Sequence, residues 1–81
     1  MKARNTKELG QVISQARKAK GYTQKQLGEK AVVKQTAISV MESGAEGVRL
    51  GTLFKVLAAL NLEIVFTAKK KSTWTPEDSI E

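Results

Sequence analysis

The sequence predicts an all-α bundle of four to five helices followed by one β-strand. Apolar residues recur at helical spacing in successive segments, and the period then changes to two over residues 62–67. A chain of 81 residues fits one domain. We therefore predict an N-terminal arm (1–6), a helical domain (7–61), a strand (62–67) and a flexible polar tail (68–81).

Capping residues bound the first two predicted helices. The first runs from about residue 7 to residue 20, and Gly21 supplies the left-handed position after its end. Thr23 opens the second helix, which covers residues 24–31, and its hydroxyl caps the free amides there. Gln26 stands at the third helical position, so the two side chains can form a capping box.

The third and fourth predicted helices follow after short connections. The third runs from Lys34 or Gln35 to Ser43, where Gly44 stops it, and Ile38 and Met41 face inward. The fourth runs from about residue 50 to residue 60, and Asn61 is a left-handed stop. Its wide apolar face is formed by Leu50, Leu53, Phe54, Leu57 and Leu60.

The predicted strand needs a partner, because a lone strand leaves its backbone groups unpaired. Leu62, Ile64 and Phe66 point to one side, and Val65 lies among the residues of the other side. We favour antiparallel pairing with the same strand of a second chain, which makes Leu62, Ile64, Val65 and Phe66 dimerisation residues. The alternative is an extended segment packed on the helices.

The composition argues against enzymatic chemistry. The chain has no cysteine and no histidine, so it lacks thiolate metal ligands, the commonest general base and any nucleophile–histidine pair. Its eight carboxylates are scattered. We therefore predict a protein that is not an enzyme and that uses neither a metal nor another cofactor.

The charge is strongly uneven along the chain. Residues 1–71 hold all 14 Lys and Arg against five acids, whereas residues 72–81 hold three acids and no base. A basic body indicates a polyanionic partner such as nucleic acid, although a merely solvated surface would look the same. No apolar run is long enough for a membrane span and no signal peptide is present, so we expect a cytoplasmic protein without a membrane partner.

Residues 22–44 form the unit that carries the function. A short helix, a tight turn and a second short helix make a helix-turn-helix, in which the second helix lies in the major groove of double-stranded DNA. Its outward residues should be short and polar, with a small one for close approach. The predicted reading positions are Lys34, Gln35, Thr36, Ala37 and Ser39. Phosphates are expected at the start of the preceding helix, at Thr23, Gln24 and Lys25.

Each of these side chains suits a particular contact. Gln35 can bind adenine N6 and N7 together, and Lys34 suits guanine or a phosphate. The hydroxyls of Thr36 and Ser39 can serve either base or backbone. Any small helical bundle has polar outward faces, so the spacing of the whole set carries the prediction.

The residues 22–31, 33–39 and 42–44 together resemble the lambda-repressor-like (Cro/CI, XRE) helix-turn-helix family. The resemblance spans roughly residues 7–61 and implies a compact helical domain that binds a pseudo-palindromic operator as a homodimer. Its motif places the leading glutamine at Gln24 and the base-reading positions at Gln35, Thr36 and Ser39. The chain departs from the family at Val32 and Val33, where a glycine followed by an apolar residue is common.

A narrower resemblance, to HipB-type antitoxins, rests on residues 50–57, the strand and a polar tail that contains Trp74. It implies a C-terminal strand paired in the dimer, repression of the protein's own operon and binding of a HipA-type Ser/Thr kinase toxin. Trp74 is then either an anchor for that toxin or an aromatic exposed by chance. The alternatives are a stand-alone phage- or host-type regulator, a nucleic-acid enzyme and a module that binds only protein.

Overall fold

The computed structural model describes residues 1–68, and this part of the chain contains four helices. They are α1 (Thr6–Ala19), α2 (Gln24–Ala31), α3 (Gln35–Glu42) and α4 (Leu50–Ala59).

 

Each helix lies within about one residue of its predicted bounds, so the all-helical prediction is confirmed. None of the helices in the described range is long and apolar enough to cross a membrane.

The core is formed by one apolar face of each helix. Its buried hydrophobic residues are Ile13, Ala16, Leu27, Ala31, Ile38, Met41, Leu53, Val56, Leu57 and Leu60. In this arrangement α3 packs against both α1 and α2, and α4 packs against α2. The predicted apolar face of α4 is therefore wider than the face that the core covers, and Leu50 and Phe54 remain exposed.

Two glycines let α1 and the end of α3 approach closely. A Cβ added to Gly10 would lie 2.5 Å from the Met41 carbonyl oxygen and 2.8 Å from that of Glu42. One added to Gly44 would lie 2.8 Å from the Lys7 Cα. Because backbone atoms occupy these spaces, α1 fixes the position of the C-terminal end of α3.

All four helices end with the same backbone turn. A left-handed residue follows each helix within two positions, with a φ of 74° at Gly21, 58° at Val32, 81° at Gly44 and 58° at Asn61. The next N–H then donates to a carbonyl five residues earlier, as in the 2.8 Å bond from Leu62 to Leu57. The left-handed stops predicted at Gly21 and Asn61 are confirmed.

The segment 62–67 is not paired within the described chain. Leu62 is half-buried against the core, whereas residues 63–68 are exposed. No strand is assigned in residues 1–68, and the backbone of residues 63–67 makes no hydrogen bond to the rest of this range. Pairing across a dimer needs a second chain and therefore stays a prediction. The tail 69–81, with Trp74, lies outside the described residues.

Candidate nucleic-acid interface

The start of α2 is fixed by the predicted capping box. The Thr23 hydroxyl oxygen accepts a 3.0 Å hydrogen bond from the Gln26 N–H, and the Gln26 side-chain oxygen accepts one of 2.8 Å from the Thr23 N–H. Thr23 and Lys25 are both exposed beside this end of the helix. The arrangement leaves helix amides, a hydroxyl and an ammonium group on one surface, as phosphate binding requires.

A tight turn joins α2 to α3. The Val33 N–H donates a 2.9 Å hydrogen bond to the Gly28 carbonyl oxygen, and Val32 adopts the left-handed conformation. A Cβ at Gly28 would lie 2.9 Å from the Val33 carbonyl oxygen, so only glycine lets the turn fold back this closely. Lys34 follows as the residue before α3 and is exposed.

The helix α3 separates a buried face from a solvent face. Ile38 is fully buried and Met41 almost so, which anchors the helix in the core. The opposite face carries the predicted reading positions: Lys34, Gln35, Thr36 and Ser39 are exposed and Ala37 is half-buried. The structure therefore brings these five side chains together at the N-terminal half of one helix, free to meet a ligand.

A nearly buried ion pair ties α3 to α1. Glu42 accepts hydrogen bonds from Arg17 Nε at 2.6 Å and from Arg17 Nη2 at 3.0 Å. The Arg17 and Glu42 side chains are only 12% and 8% exposed. Arg17 also donates from Nη1 to the Tyr22 carbonyl oxygen at 2.8 Å, just before α2 begins. One guanidinium group thus connects α1, the start of α2 and the end of α3.

The ion pair sets the protonation states of its members. Burial by itself raises the pKa of Glu42, but hydrogen bonds from Arg17, Gln24 and Ser14 and the charge of Arg17 together hold that pKa below its ordinary value. The hydrogen bond to Glu42 raises the pKa of Arg17. Both groups are therefore charged at neutral pH, which strengthens their hydrogen bonds.

Gln24 belongs to this network as well as to the predicted surface. Its side-chain nitrogen donates a 3.2 Å hydrogen bond to Glu42, and the residue is half-buried. The Gln24 amide group is therefore anchored to the end of α3. Sequence reasoning assigned Gln24 to phosphate binding alone and missed its anchor, because Glu42 is distant along the chain.

The sequence also did not predict a groove that lies between α3 and α4. Thr36, Ala37 and Val40 of α3 line one side. The other side is lined by Arg49, which precedes α4, and by Thr52 and Lys55 of α4. Lys34 and Val32 stand at its end beside the turn. The signal that could have revealed it is Val40, an apolar residue at a position where the reading face continues.

Large apolar side chains are also exposed on α4 and in the segment that follows it. Ile64, Val65 and Phe66 are exposed in the segment after α4, and Leu50 and Phe54 are exposed on α4 itself. We call these five residues the apolar surface. Leu62, the fourth predicted dimerisation residue, is instead half-buried on the core of its own chain. A small domain rarely leaves so many large apolar side chains in water without a partner.

Comparisons with known proteins identify the same unit. A helix-turn-helix family model matches residues 13–66, which include α2, the turn and α3. Antitoxin HipB of Escherichia coli strain K12 is 30% identical over 66 residues, which cover 82% of this chain and 75% of that protein. An uncharacterised HTH-type transcriptional regulator of Sinorhizobium fredii is 37% identical over 68 residues, but these cover only 35% of its length.

A solved structure shows the same fold. In a HipA–HipB–O2–O3 complex, one chain superimposes on this structure with a TM-score of 0.79 and 30% sequence identity. The match covers 86% of this chain and 99% of the other. The similarity therefore extends through the whole helical bundle and beyond the helix-turn-helix unit.

Proposed function

The chain belongs to the helix-turn-helix family, in the group that includes the HipB antitoxins, and we propose that it is a dimeric, sequence-specific DNA-binding repressor and an antitoxin. The observation that carries the DNA-binding part is the outward face of α3. Its first turns present exposed polar side chains, while Ile38, Met41 and the Glu42 ion pair hold the helix rigidly from behind. Rigid support is what a helix needs to place side chains against base edges.

The reading positions take distinct roles in this proposal. Gln35 makes paired hydrogen bonds to an adenine, and Lys34 contacts a guanine or a phosphate. Thr36 and Ser39 add hydroxyl contacts, and Ala37 lets the helix come close to the base edges. Beside the major groove of the DNA, one backbone phosphate is bound at the start of α2. Thr23, Gln24 and Lys25 bind it together with the helix amides.

A second copy of the chain covers the apolar surface in this proposal. The unpaired backbone of residues 63–67 and the exposed Ile64, Val65 and Phe66 favour antiparallel pairing with the same segment of the partner. Leu62, held on the core, fixes where the segment leaves the domain. Two-fold symmetry then places two α3 helices on successive turns of a pseudo-palindromic operator.

The antitoxin part of the proposal rests on the relatives. The similar chain of known structure was solved with HipA, and the curated relative is an antitoxin. We infer a HipA-type Ser/Thr kinase as the toxin partner, with Trp74 as a candidate contact, and repression by occlusion of the operon's own promoter. The protein would act in the cytoplasm, on the nucleoid when bound to its operator. The match to a transcriptional regulator leaves a stand-alone regulator as the second candidate.

Binding to selected DNA tests the first part. A site selected from a random duplex pool should bind the wild type with two-fold symmetric protection in footprinting. Gln35→Ala should weaken the free energy of binding to that site by about 1–3 kcal/mol and should change binding to random DNA little. Gln11→Ala, which removes an exposed amide from α1, serves as the matched control and should bind like the wild type. Equal losses of Gln35→Ala on both DNAs would contradict base reading.

Co-expression with a kinase tests the antitoxin part. The kinase encoded beside this chain's gene should co-purify with it and lose its toxicity when both are produced. Trp74→Ala should weaken that complex without changing DNA binding. A protein that binds its selected site but neither retains nor neutralises such a kinase would be the stand-alone regulator instead.

A further inference from the structure

The groove between α3 and α4 combines positive charge with exposed apolar side chains. Its three cationic residues all reach solvent; these are Lys34, Arg49 and Lys55. Two valines that the core does not cover line it as well, since Val32 is 81% exposed and Val40 is 46% exposed. No carboxylate of the described range lines this groove. It therefore suits a ligand that has both negative charges and an apolar side chain.

The helix starts at this groove add to its positive potential. The first turns of α3 and α4 line it through Thr36 and Thr52. Lys34 and Arg49 precede these two helices, and neither side chain caps the free amides that follow it. The helices α1 and α2, in contrast, each begin with a side-chain cap. Because uncapped amides at a helix start attract anions, the groove favours carboxylate or phosphate groups.

The chain itself carries a segment of matching chemistry. Residues 77–81 read Glu-Asp-Ser-Ile-Glu, lie outside the described residues, and are called the acidic segment below. Its three carboxylates equal the cations of the groove in number, and Ile80 supplies an apolar side chain between Asp78 and Glu81. Residues 72–81 contain no Lys or Arg, so no base beside the segment neutralises these charges. The acidic segment thus complements the groove in both charge and polarity.

The acidic segment is also within reach of the groove. Lys55 lies about 10 Å from Leu62 along the axis of α4, and Leu62 is held on the core. Even if residues 63–67 lead about 17 Å straight away from Leu62, residues 68–76 span up to about 30 Å and can return to Lys55. Exposed ion pairs are individually weak, but a tethered ligand has an effective concentration of millimolar order. A weak contact therefore suffices to cover the groove for much of the time.

We propose that the acidic segment docks in the groove of its own chain and competes with DNA for this surface. Glu77, Asp78 and Glu81 pair with the three cations, and Ile80 packs against the exposed valines. The contact is autoinhibitory, because DNA must displace the segment before α3 can enter the major groove. This inference rests on the proposed DNA binding of α3 and adds to it a regulatory contact that the chain supplies itself.

A disulfide cross-link tests the contact without DNA, because the chain has no cysteine of its own. In the full chain, Val40→Cys combined with Ile80→Cys should form an intramolecular disulfide under mild oxidation, measured on a denaturing, non-reducing gel. The matched control combines Gln11→Cys with Ile80→Cys, since Gln11 is exposed on α1. The control should cross-link about tenfold more slowly, because only docking concentrates the segment at one place. Equal rates, or a covalent dimer as the main product, would overturn the inference.

Neutralising the acidic segment tests the competition with DNA. Glu77→Gln combined with Asp78→Asn should bind a site selected from a random pool about threefold to tenfold more tightly than the wild type, because the groove is then free more often. Glu29→Gln combined with Glu46→Gln removes the same charge from exposed positions of the described chain. This control should change the affinity by less than about twofold, as expected for a screened change in net charge. Equal gains in the two variants would overturn the inference.

The outcomes separate this inference from the proposed function. If Gln35→Ala loses specificity but neutralising the acidic segment leaves the DNA affinity unchanged, the inference is wrong and the DNA-binding function stands. If neither the wild type nor the neutralised variants select a site, the proposed function and the competition are both wrong. Selective cross-linking of Val40→Cys with Ile80→Cys, together with tighter DNA binding by the neutralised segment, supports both.

Discussion

Two regions of the molecule differ in how far one chain completes its own contacts. The region of α1, α2 and α3 buries most of its large apolar side chains and pairs its buried charges, as Arg17 and Glu42 show. The region of α4 and residues 64–66 leaves large apolar side chains in water, and Phe66 is 89% exposed. The first region is finished within one chain, whereas the second requires another surface.

The first region determines how α3 is positioned, and the second determines how two chains associate. The helix α3, which we propose reads DNA, is held by contacts within its own chain, so its position does not depend on dimerisation. The apolar surface decides instead how two such helices are spaced. We therefore expect substitutions in the first region to change folding stability, and substitutions in the second to change association and affinity for a two-fold symmetric site.

Breaking the Arg17–Glu42 ion pair should give the largest loss of folding stability. Arg17→Met leaves the Glu42 carboxylate nearly buried without its charged partner, which should cost about 3–5 kcal/mol of the free energy of unfolding. Urea denaturation at a fixed protein concentration measures the loss. The matched control is Arg4→Met, because Arg4 pairs with Glu8 at 3.8 Å on the surface. Its loss should stay below about 1 kcal/mol.

A double variant distinguishes the charge from the packing. Arg17→Met combined with Glu42→Met removes both charges and should recover most of the stability, because no unpaired charge then remains buried. If the double variant is as unstable as Arg17→Met alone, the guanidinium group stabilises the fold through Tyr22 and its own packing. Glu42 would then be a minor member of the network.

Low pH should weaken the same ion pair, because it protonates Glu42. The pKa of Glu42 is lower in the folded chain than in the unfolded one. Its contribution to stability is therefore fully present above the unfolded value of about 4.3 and is lost as the pH falls through the folded pKa. Urea midpoints at neutral and acidic pH should show this loss in the wild type. The double methionine variant should lack this component, and an identical acid dependence of both would contradict the assignment.

Phe66→Lys should break assembly and leave the fold intact. Burying a phenylalanine at an interface stabilises it by about 1.5–3 kcal/mol per chain, so changing both copies should raise the dimer Kd by at least about a hundredfold. Analytical ultracentrifugation measures the Kd. Circular dichroism should show unchanged helix content, since Phe66 contributes nothing to the core.

The neighbouring Thr67 provides the control for that charge. Thr67→Lys adds the same ammonium group one residue later, at an exposed polar position. It should change the dimer Kd far less than Phe66→Lys. Equal effects of the two would mean that charge repulsion between the segments, and not the buried ring, controls association.

Much of the first region could be predicted from the sequence, because its signals are local. Helical spacing, the Thr23–Gln26 capping box and the stop at Asn61 all involve residues within a few positions of each other. The outward placement of Gln35 and Ser39 follows from the inward placement of Ile38. Local periodicity fixes both faces of a helix at once, so the exposure of the proposed reading positions was predictable together.

The contacts that the sequence did not predict join residues distant in the chain. The bond from Gln24 to Glu42 and the approach of Gly10 to the Met41 carbonyl depend on how three helices pack. The groove at Val40 likewise needs α4 to lie beside α3. The apolar stripe of α4 predicted burial for Phe54, but one chain provides only enough surface to cover Leu53, Val56 and Leu57.

Substitution of Val32 should give the smallest change in folding stability, and the only increase among these variants. It adopts the left-handed conformation at the end of α2, where a β-branched side chain is strained, and it is 81% exposed, so no packing offsets the strain. Val32→Asn should therefore raise the free energy of unfolding by about 1 kcal/mol, because asparagine tolerates this backbone. Val40→Asn, which changes the other exposed valine of the unit within a regular helix, should give no gain in the same urea titration. A loss of stability in Val32→Asn would show that the valine side chain, despite its exposure, stabilises the turn.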